Sequence, residues 1–121
     1  MKIQASAEDY LEAILVLTQK NGKVRSVDIA NHMNYAKPTI SIIMKQFRDN
    51  DYVTFDSDRN IHLTSKGEEI AKRIHERHKL LSAFLMAIGV SQDVAYADAC
   101  KIEHVISEES LCCIKNFYNK L

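Results

Sequence analysis

Apolar residues recur at helical spacing through most of the chain. From Ser6 onward Tyr10, Leu11, Ile14, Leu15 and Leu17 form one broad face. Ser6, with Asp9 three residues on, stands where a cap would, and Asn21-Gly22 closes the run, so the spacing predicts a first helix of about four turns. Ser26 predicts the cap of a short second helix holding Ile29, Ala30 and Met33. The polar break from Asn34 to Lys37 leads into Pro38, which suits the first position of a third helix, roughly 38–49. There Ile40, Ile43, Met44 and Phe47 run i, i+3, i+4, i+7 and predict packing against the first two helices. Thr39, Ser41, Ile42, Lys45 and Gln46 are left facing outward.

Two short β-type runs follow, Tyr52 to Phe55 and Ile61 to Leu63, separated by the turn-forming Asp56-Ser57-Asp58-Arg59-Asn60. Three helices and then a two-stranded ribbon is the order of a winged helix-turn-helix. Thr64 with Ser65 predicts the cap of a long fourth helix from Lys66 to about Ala87, ended by Gly89. Ser91 predicts that of a fifth running through Ile106, and Ser107-Glu108-Glu109 opens a sixth. The fold class is therefore mainly α: a winged helix-turn-helix over residues 1–73, then a helical domain over 74–121. The second half carries Leu80, Leu81, Phe84, Leu85, Ile88, Val105, Ile106, Leu111 and Ile114, more apolar side chains than so small a half can bury alone. A homodimer formed through 74–121 is expected.

A length of 121 residues excludes a multi-domain enzyme. Lys+Arg and Asp+Glu both number 16, so any nucleic-acid contact must come from a local basic surface, since the whole chain carries no net charge. Apolar runs such as Leu80 to Val90 fall short of the ~20 residues of a membrane span, and no signal-peptide pattern opens the chain; the expectation is a cytoplasmic protein with no membrane contact. Three cysteines, with Cys112 and Cys113 adjacent, make a poor disulfide framework and point to free thiols or a metal ligand.

The break at Asn34-Tyr35-Ala36-Lys37 followed by Pro-Thr-Ile-Ser is the geometry that lays a helix N-terminus in the major groove of double-stranded DNA. Thr39 and Ser41 then meet base edges or phosphates, Ile42 a thymine methyl, and Lys37, Lys45, Arg48 and the wing residue Arg59 the phosphates, with Pro38 and Gln46 on the same surface. An outward Ile42 is hard to justify on a solvated face.

Ligand-type side chains also recur at helical spacing. Asp9 and Glu12 are i, i+3, His75 and His78 are i, i+3, and Cys100, Glu103 and His104 are i, i+3, i+4. A mixture of carboxylate, thiolate and imidazole suits Mn2+, Fe2+, Co2+ or Zn2+ and is poor for Ca2+. Taken singly, each element has an ordinary reading: a helix-start carboxylate, a solvated His75, a core cysteine.

Ser6-Ala-Glu-Asp-Tyr-Leu-Glu-Ala-Ile14, Lys37-Pro-Thr-Ile-Ser41, Leu63-Thr-Ser-Lys-Gly67, Arg77-His-Lys-Leu-Leu81 and Ala99-Cys-Lys-Ile-Glu-His104 fall in the order and spacing of one family. The chain resembles the diphtheria-toxin-repressor and manganese-transport-regulator family from about residue 6 onward. The resemblance implies a homodimeric, metal-activated repressor of metal homeostasis that binds an inverted-repeat operator and takes no small organic substrate. It implies that Asp9, Glu12, His78, Cys100, Glu103 and His104 bind the activating metal, Mn2+ or Fe2+, with Zn2+ or Co2+ admitted through Cys100. It also implies the form without the SH3-like third domain. Asp9 and Glu12 resemble the manganese branch, whereas Cys100 before Glu103-His104 resembles the iron branch. Ser82 and Tyr96 stand where the iron branch's ancillary site has Glu and His. The implied ligands lie in both halves, so metal would bridge them. The alternatives weighed are a metal-independent winged-helix interaction module and a metal-dependent enzyme using Glu103 or His104 as a base.

Overall fold

The computed structural model describes residues 5–121. Along them run α1 (Ala5–Asn21), α2 (Ser26–Met33), α3 (Lys37–Asp49), β1 (Val53–Phe55), β2 (Ile61–Leu63), α4 (Ser65–Ala87), α5 (Gln92–Ile102) and α6 (Glu108–Asn119). The chain forms two compact units, one ending at Lys72 and the other Arg73–Leu121.

In the first unit the expected face of α3 turns inward: Ile40, Met44 and Phe47 are fully buried beside Leu11, Ile14, Val24 and Ile29. Burying several side chains of this size, each giving about 1.5–3 kcal/mol, is what holds three short helices together. The strands pair antiparallel with Val53 opposite Leu63, Thr54 opposite His62 and Phe55 opposite Ile61. Ile61 N–H donates to the Val24 carbonyl at 2.7 Å, which fastens the ribbon to the loop between α1 and α2. Gly67 lies under Tyr52: a Cβ there would come within 2.2 Å of the Tyr52 carbonyl oxygen. Only glycine lets α4 start so close to the ribbon.

Several helix starts differ from expectation. α1 already includes Ala5, so Ser6 lies inside the helix and is not its cap. Arg25, not Ser26, caps α2, because Asp28 accepts the Arg25 backbone N–H at 2.9 Å and Ser26 becomes the first helical residue. Pro38 takes the second position of α3, behind Lys37. Tyr52 precedes β1, its ring edge-on to Phe47 at 6.0 Å between centroids. Thr64 caps α4, accepting Gly67 N–H at 3.1 Å, and Ser107 caps α6, accepting Ser110 N–H at 3.1 Å.

In the second unit α5 stops at Ile102, four residues before the expected end. The Val105 and Ile106 amides both reach the Ile102 carbonyl at 3.0 Å, so the helix tightens into a turn and Glu103 and His104 sit beyond it. Leu81 is buried, yet α6 buries no residue at all, and Ile88, Val105 and Phe117 are more than half exposed.

Candidate metal centre and nucleic-acid interface

Because α3 buries Ile40, Met44 and Phe47, its opposite face is presented outward. Lys37, Pro38, Thr39, Lys45, Gln46 and Arg48 are exposed, Ser41 is half-buried, and Ile42 is 58% exposed. A concavity of about 510 Å³ is lined by Arg25, Ser26, Val27, Ser41, Lys45, Arg48, Phe55 and Arg59. Four of those side chains are cationic and no carboxylate is among the lining residues, while Arg48 Nε also pairs with the adjacent Asp49 at 3.3 Å. A neutral chain thus carries the local positive surface that phosphate binding needs. The Arg48 guanidinium lies 5.7 Å over the Phe55 ring, which holds it beside β1. The sequence reading missed Arg25. Its signal is structural: as the cap of α2 it is held beside Ser41 and Lys45, elements that its position in the chain does not bring together.

Arg59 stands on the wing with φ +64, a left-handed backbone. Asp56 builds the loop that allows this. Its Oδ1 accepts the N–H groups of Asp58 and Asn60, both at 2.9 Å, and its Oδ2 lies 3.0 Å from His62 Nε2. The His62 bond, followed by that of Asn60, holds the Asp56 carboxyl at about 2, from an ordinary 3.8. On α1, burial pushes the Tyr10 hydroxyl pKa up, and Tyr35 and Asp9 add to it.

The second unit gathers His78 from α4, Cys100 from α5 and Glu103 from the turn after α5, with one donor atom of each within 4.8 Å of the others. Glu103 is fully buried. Its Oε2 lies 2.9 Å from His78 Nδ1, and Cys100 Sγ lies 3.8 Å from the same nitrogen. Its Oε1 is buried without a hydrogen bond, with His104 Nε2 3.5 Å away. Leaving a carboxylate oxygen buried and unbonded costs at least about 1–3 kcal/mol, and a bound cation would offset that cost. Imidazole, thiolate and carboxylate are together the donor set of a divalent transition ion, so the residues fit a metal. Cys100 is exposed, which leaves the group open to solvent from that side. Tyr96 packs its ring 5.8 Å from that of His78. Asp9 and Glu12 lie on α1 in the first unit, both half-buried, and His75 is half-buried on α4.

Residues 2–61 match the family described as "Iron dependent repressor, N-terminal DNA binding domain", and residues 64–121 match "Iron dependent repressor, metal binding and dimerisation domain". The transcriptional regulator MntR of Escherichia coli O157:H7 is 34% identical over 113 residues, covering 93% of this chain and 73% of that protein. The HTH-type transcriptional regulator MntR of Bacillus subtilis is 36% identical over 106 residues, covering 88% of this chain and 75% of that protein. Among solved structures, the manganese regulator SloR superposes with a TM-score of 0.81 at 28% identity, over 98% of this chain and 55% of that one. A manganese-dependent transcriptional repressor in complex with manganese gives 0.79 at 25% identity, over 90% and 50%. This chain therefore spans about half the length of those solved structures. The relatives are named as regulators of transcription, which sets aside the enzyme and the metal-free module. Matched along both halves, the chain belongs to the iron-dependent repressor family, that of the diphtheria-toxin repressor and the manganese-transport regulator, whose members are metal-dependent transcriptional repressors using a divalent ion such as Mn2+ or Fe2+.

Proposed function

We propose that this chain acts in the cytoplasm as a homodimer that grips an inverted-repeat operator when loaded with Mn2+ or Fe2+. The observation that carries the reading is the Glu103 carboxylate, buried with an unbonded Oε1 and gathered with His78 and Cys100. When bound, the ion supplies a positive charge beside the unbonded oxygen of this buried carboxylate. His78, Cys100 and Glu103 would hold it, and the resemblance adds Asp9, Glu12 and His104. The residues of 1–73 carry DNA binding and those of 74–121 carry metal binding and dimerisation. Dimerisation is supported by α6, none of whose residues is fully buried within its own chain, and by the exposed Ile88, Val105 and Phe117.

On DNA, Thr39, Ser41 and Ile42 read base edges, while Lys37, Lys45, Arg48 and Arg59 neutralise phosphates, and Pro38 and Gln46 lie on the same face. Two-fold symmetry sets the recognition helices on half-sites ~34 Å or a multiple apart. Among the described residues no helix is long and apolar enough to cross a membrane, in keeping with a DNA-bound role. Metal can promote DNA binding only if it prefers the DNA-competent state, and linkage is reciprocal. Operator DNA must then tighten Mn2+ or Fe2+ binding by the factor by which metal tightens operator binding, about 5- to 150-fold. Titrating each ion anaerobically with and without operator tests this. Equal metal affinities in the two titrations would reject metal activation and leave a structural ion beside an unregulated DNA-binding protein.

A further inference from the structure

We propose that Arg77 is the positioning residue of the metal centre, clamping from behind the turn that carries Glu103. The inference rests on the metal reading of His78, Cys100 and Glu103 and deepens it.

Arg77 precedes His78 on α4, so the same helical turn that offers the imidazole also offers the guanidinium, about 100° around the axis. The guanidinium reaches the backbone of the turn that carries Glu103. Nη1 donates to the Glu103 carbonyl at 3.0 Å and to the Ile106 carbonyl at 3.2 Å. Nη2 pairs with the carboxylate of Glu108, the first residue of α6. The Arg77 side chain is 11% exposed, and its Nε is buried without a hydrogen-bond partner. A buried guanidinium with an unpaired nitrogen is costly, so the bonds from its two Nη atoms hold it there.

Those bonds answer a need that the local backbone creates. α5 ends at Ile102, and the last carbonyls of a helix have no partners within it. The turn from Glu103 to Ile106 is two residues wide between the Arg77 bonds, and Glu103 has helical φ and ψ of −57° and −26°. Fixing the carbonyls at both ends of that turn fixes the Glu103 Cα, and with it the direction from which the carboxylate approaches His78. Lysine can substitute only in part. A single ammonium offers no planar fork able to bridge two carbonyls and meet a carboxylate at once.

Such support behind a ligand commonly sets metal affinity by about 10- to 100-fold. The test compares the full chain with its Arg77→Ala, Arg77→Lys and Glu108→Gln forms, using Mn2+ and Co2+ as probes. Three quantities are read: ion affinity, the Co2+ absorption spectrum, and amide hydrogen exchange of the metal-free proteins. Arg77→Ala should weaken both ions about 10- to 100-fold and speed exchange at residues 103–107, with exchange in α1, α2 and α3 unchanged. The thiolate-to-Co2+ band from Cys100 should persist while the ligand-field bands shift, because Glu103 alone is misplaced. A general loosening of the unit would lose both features together. Arg77→Lys should recover part of the affinity, and Glu108→Gln, which keeps both carbonyl bonds, should lose the least.

Wild-type ion affinity in a folded Arg77→Ala protein overturns the proposal. Should that variant not fold, wild-type affinity in Arg77→Lys overturns it equally. If the unaltered chain binds neither ion, the metal reading itself fails, an outcome separate from any failure of Arg77.

Discussion

The ring of Tyr10 meets that of Tyr35 at 6.0 Å between centroids, tilted by 59°. The contact joins α1, which carries Asp9 and Glu12, to the turn leading into α3. Tyr10 is 8% exposed and also lies edge-on to Phe47 at 6.4 Å, so three aromatic rings connect α1 to both ends of α3. Tyr35→Ala should cost about 1 kcal/mol in urea unfolding, the worth of one aromatic pair. Tyr10→Ala should cost about 3–5 kcal/mol through the cavity it leaves. A Tyr35→Ala protein as stable as wild type, with unaltered operator affinity, would show that the ring contact holds nothing in place.

Base reading and phosphate binding should separate on α3. Thr39→Ala or Ile42→Ala should relax preference at one or two base pairs by about 1–3 kcal/mol. Lys45→Ala should weaken every sequence alike and reduce the salt slope by about 1. Arg25→Ala should behave like Lys45→Ala, since both line the same cationic concavity. Binding to specific and random duplexes across a salt series distinguishes the two patterns, and uniform losses in all four variants would contradict the assignment.

Cys100 should set the metal ranking. Exchanging its thiolate for a carboxylate hardens the donor set, so Cys100→Glu should favour Mn2+ over Zn2+ and Co2+ relative to wild type. Cys112→Ser and Cys113→Ser should leave the ranking unchanged, as both thiols are exposed on α6 and outside the His78 group. Competition titrations report the order directly, and an unmoved order in Cys100→Glu would exclude Cys100 as a ligand.

The wing should weaken in acid. A carboxyl whose folded pKa is depressed contributes stability that is present above its unfolded value and lost as pH falls through the folded one. For Asp56 that window runs from about pH 4 down to about pH 2, set chiefly by the His62 bond. Amide exchange at residues 57–61 should accelerate over this range in wild type, and Asp56→Asn should remove that pH dependence. Equal protection at both ends of the window would refute the assignment.

The order of elements was legible in the sequence because helix and ribbon periodicities are local. Ile40, Met44 and Phe47 announce their burial by spacing alone, and Thr64 and Ser107 announce their helices by side-chain chemistry. What stayed hidden depends on partners far along the chain. Arg77 reads as one charge among many until the carbonyls of Glu103 and Ile106, on the far side of α5, are seen to meet it. The early end of α5 was hidden because its continuation to Ile106 satisfies periodicity equally well. Tyr35 read as part of a polar break, and only the packing of Tyr10 gives its ring a place. Ligand-type residues at i, i+3 were visible, but the unbonded Oε1 of Glu103 is a property of packing.

Arg59 has one more consequence, for anyone who would make this protein hardier. Its left-handed backbone suits glycine or asparagine better than arginine, and strain of this kind costs of order 1–3 kcal/mol. A search for stabilising replacements would therefore select Arg59→Gly early and reward it with a higher melting temperature. The same change deletes one of the four cations that line the concavity beside α3, the surface proposed to meet the operator. On the proposed reading, thermal screening alone would thus steer toward a more robust protein that holds DNA less well.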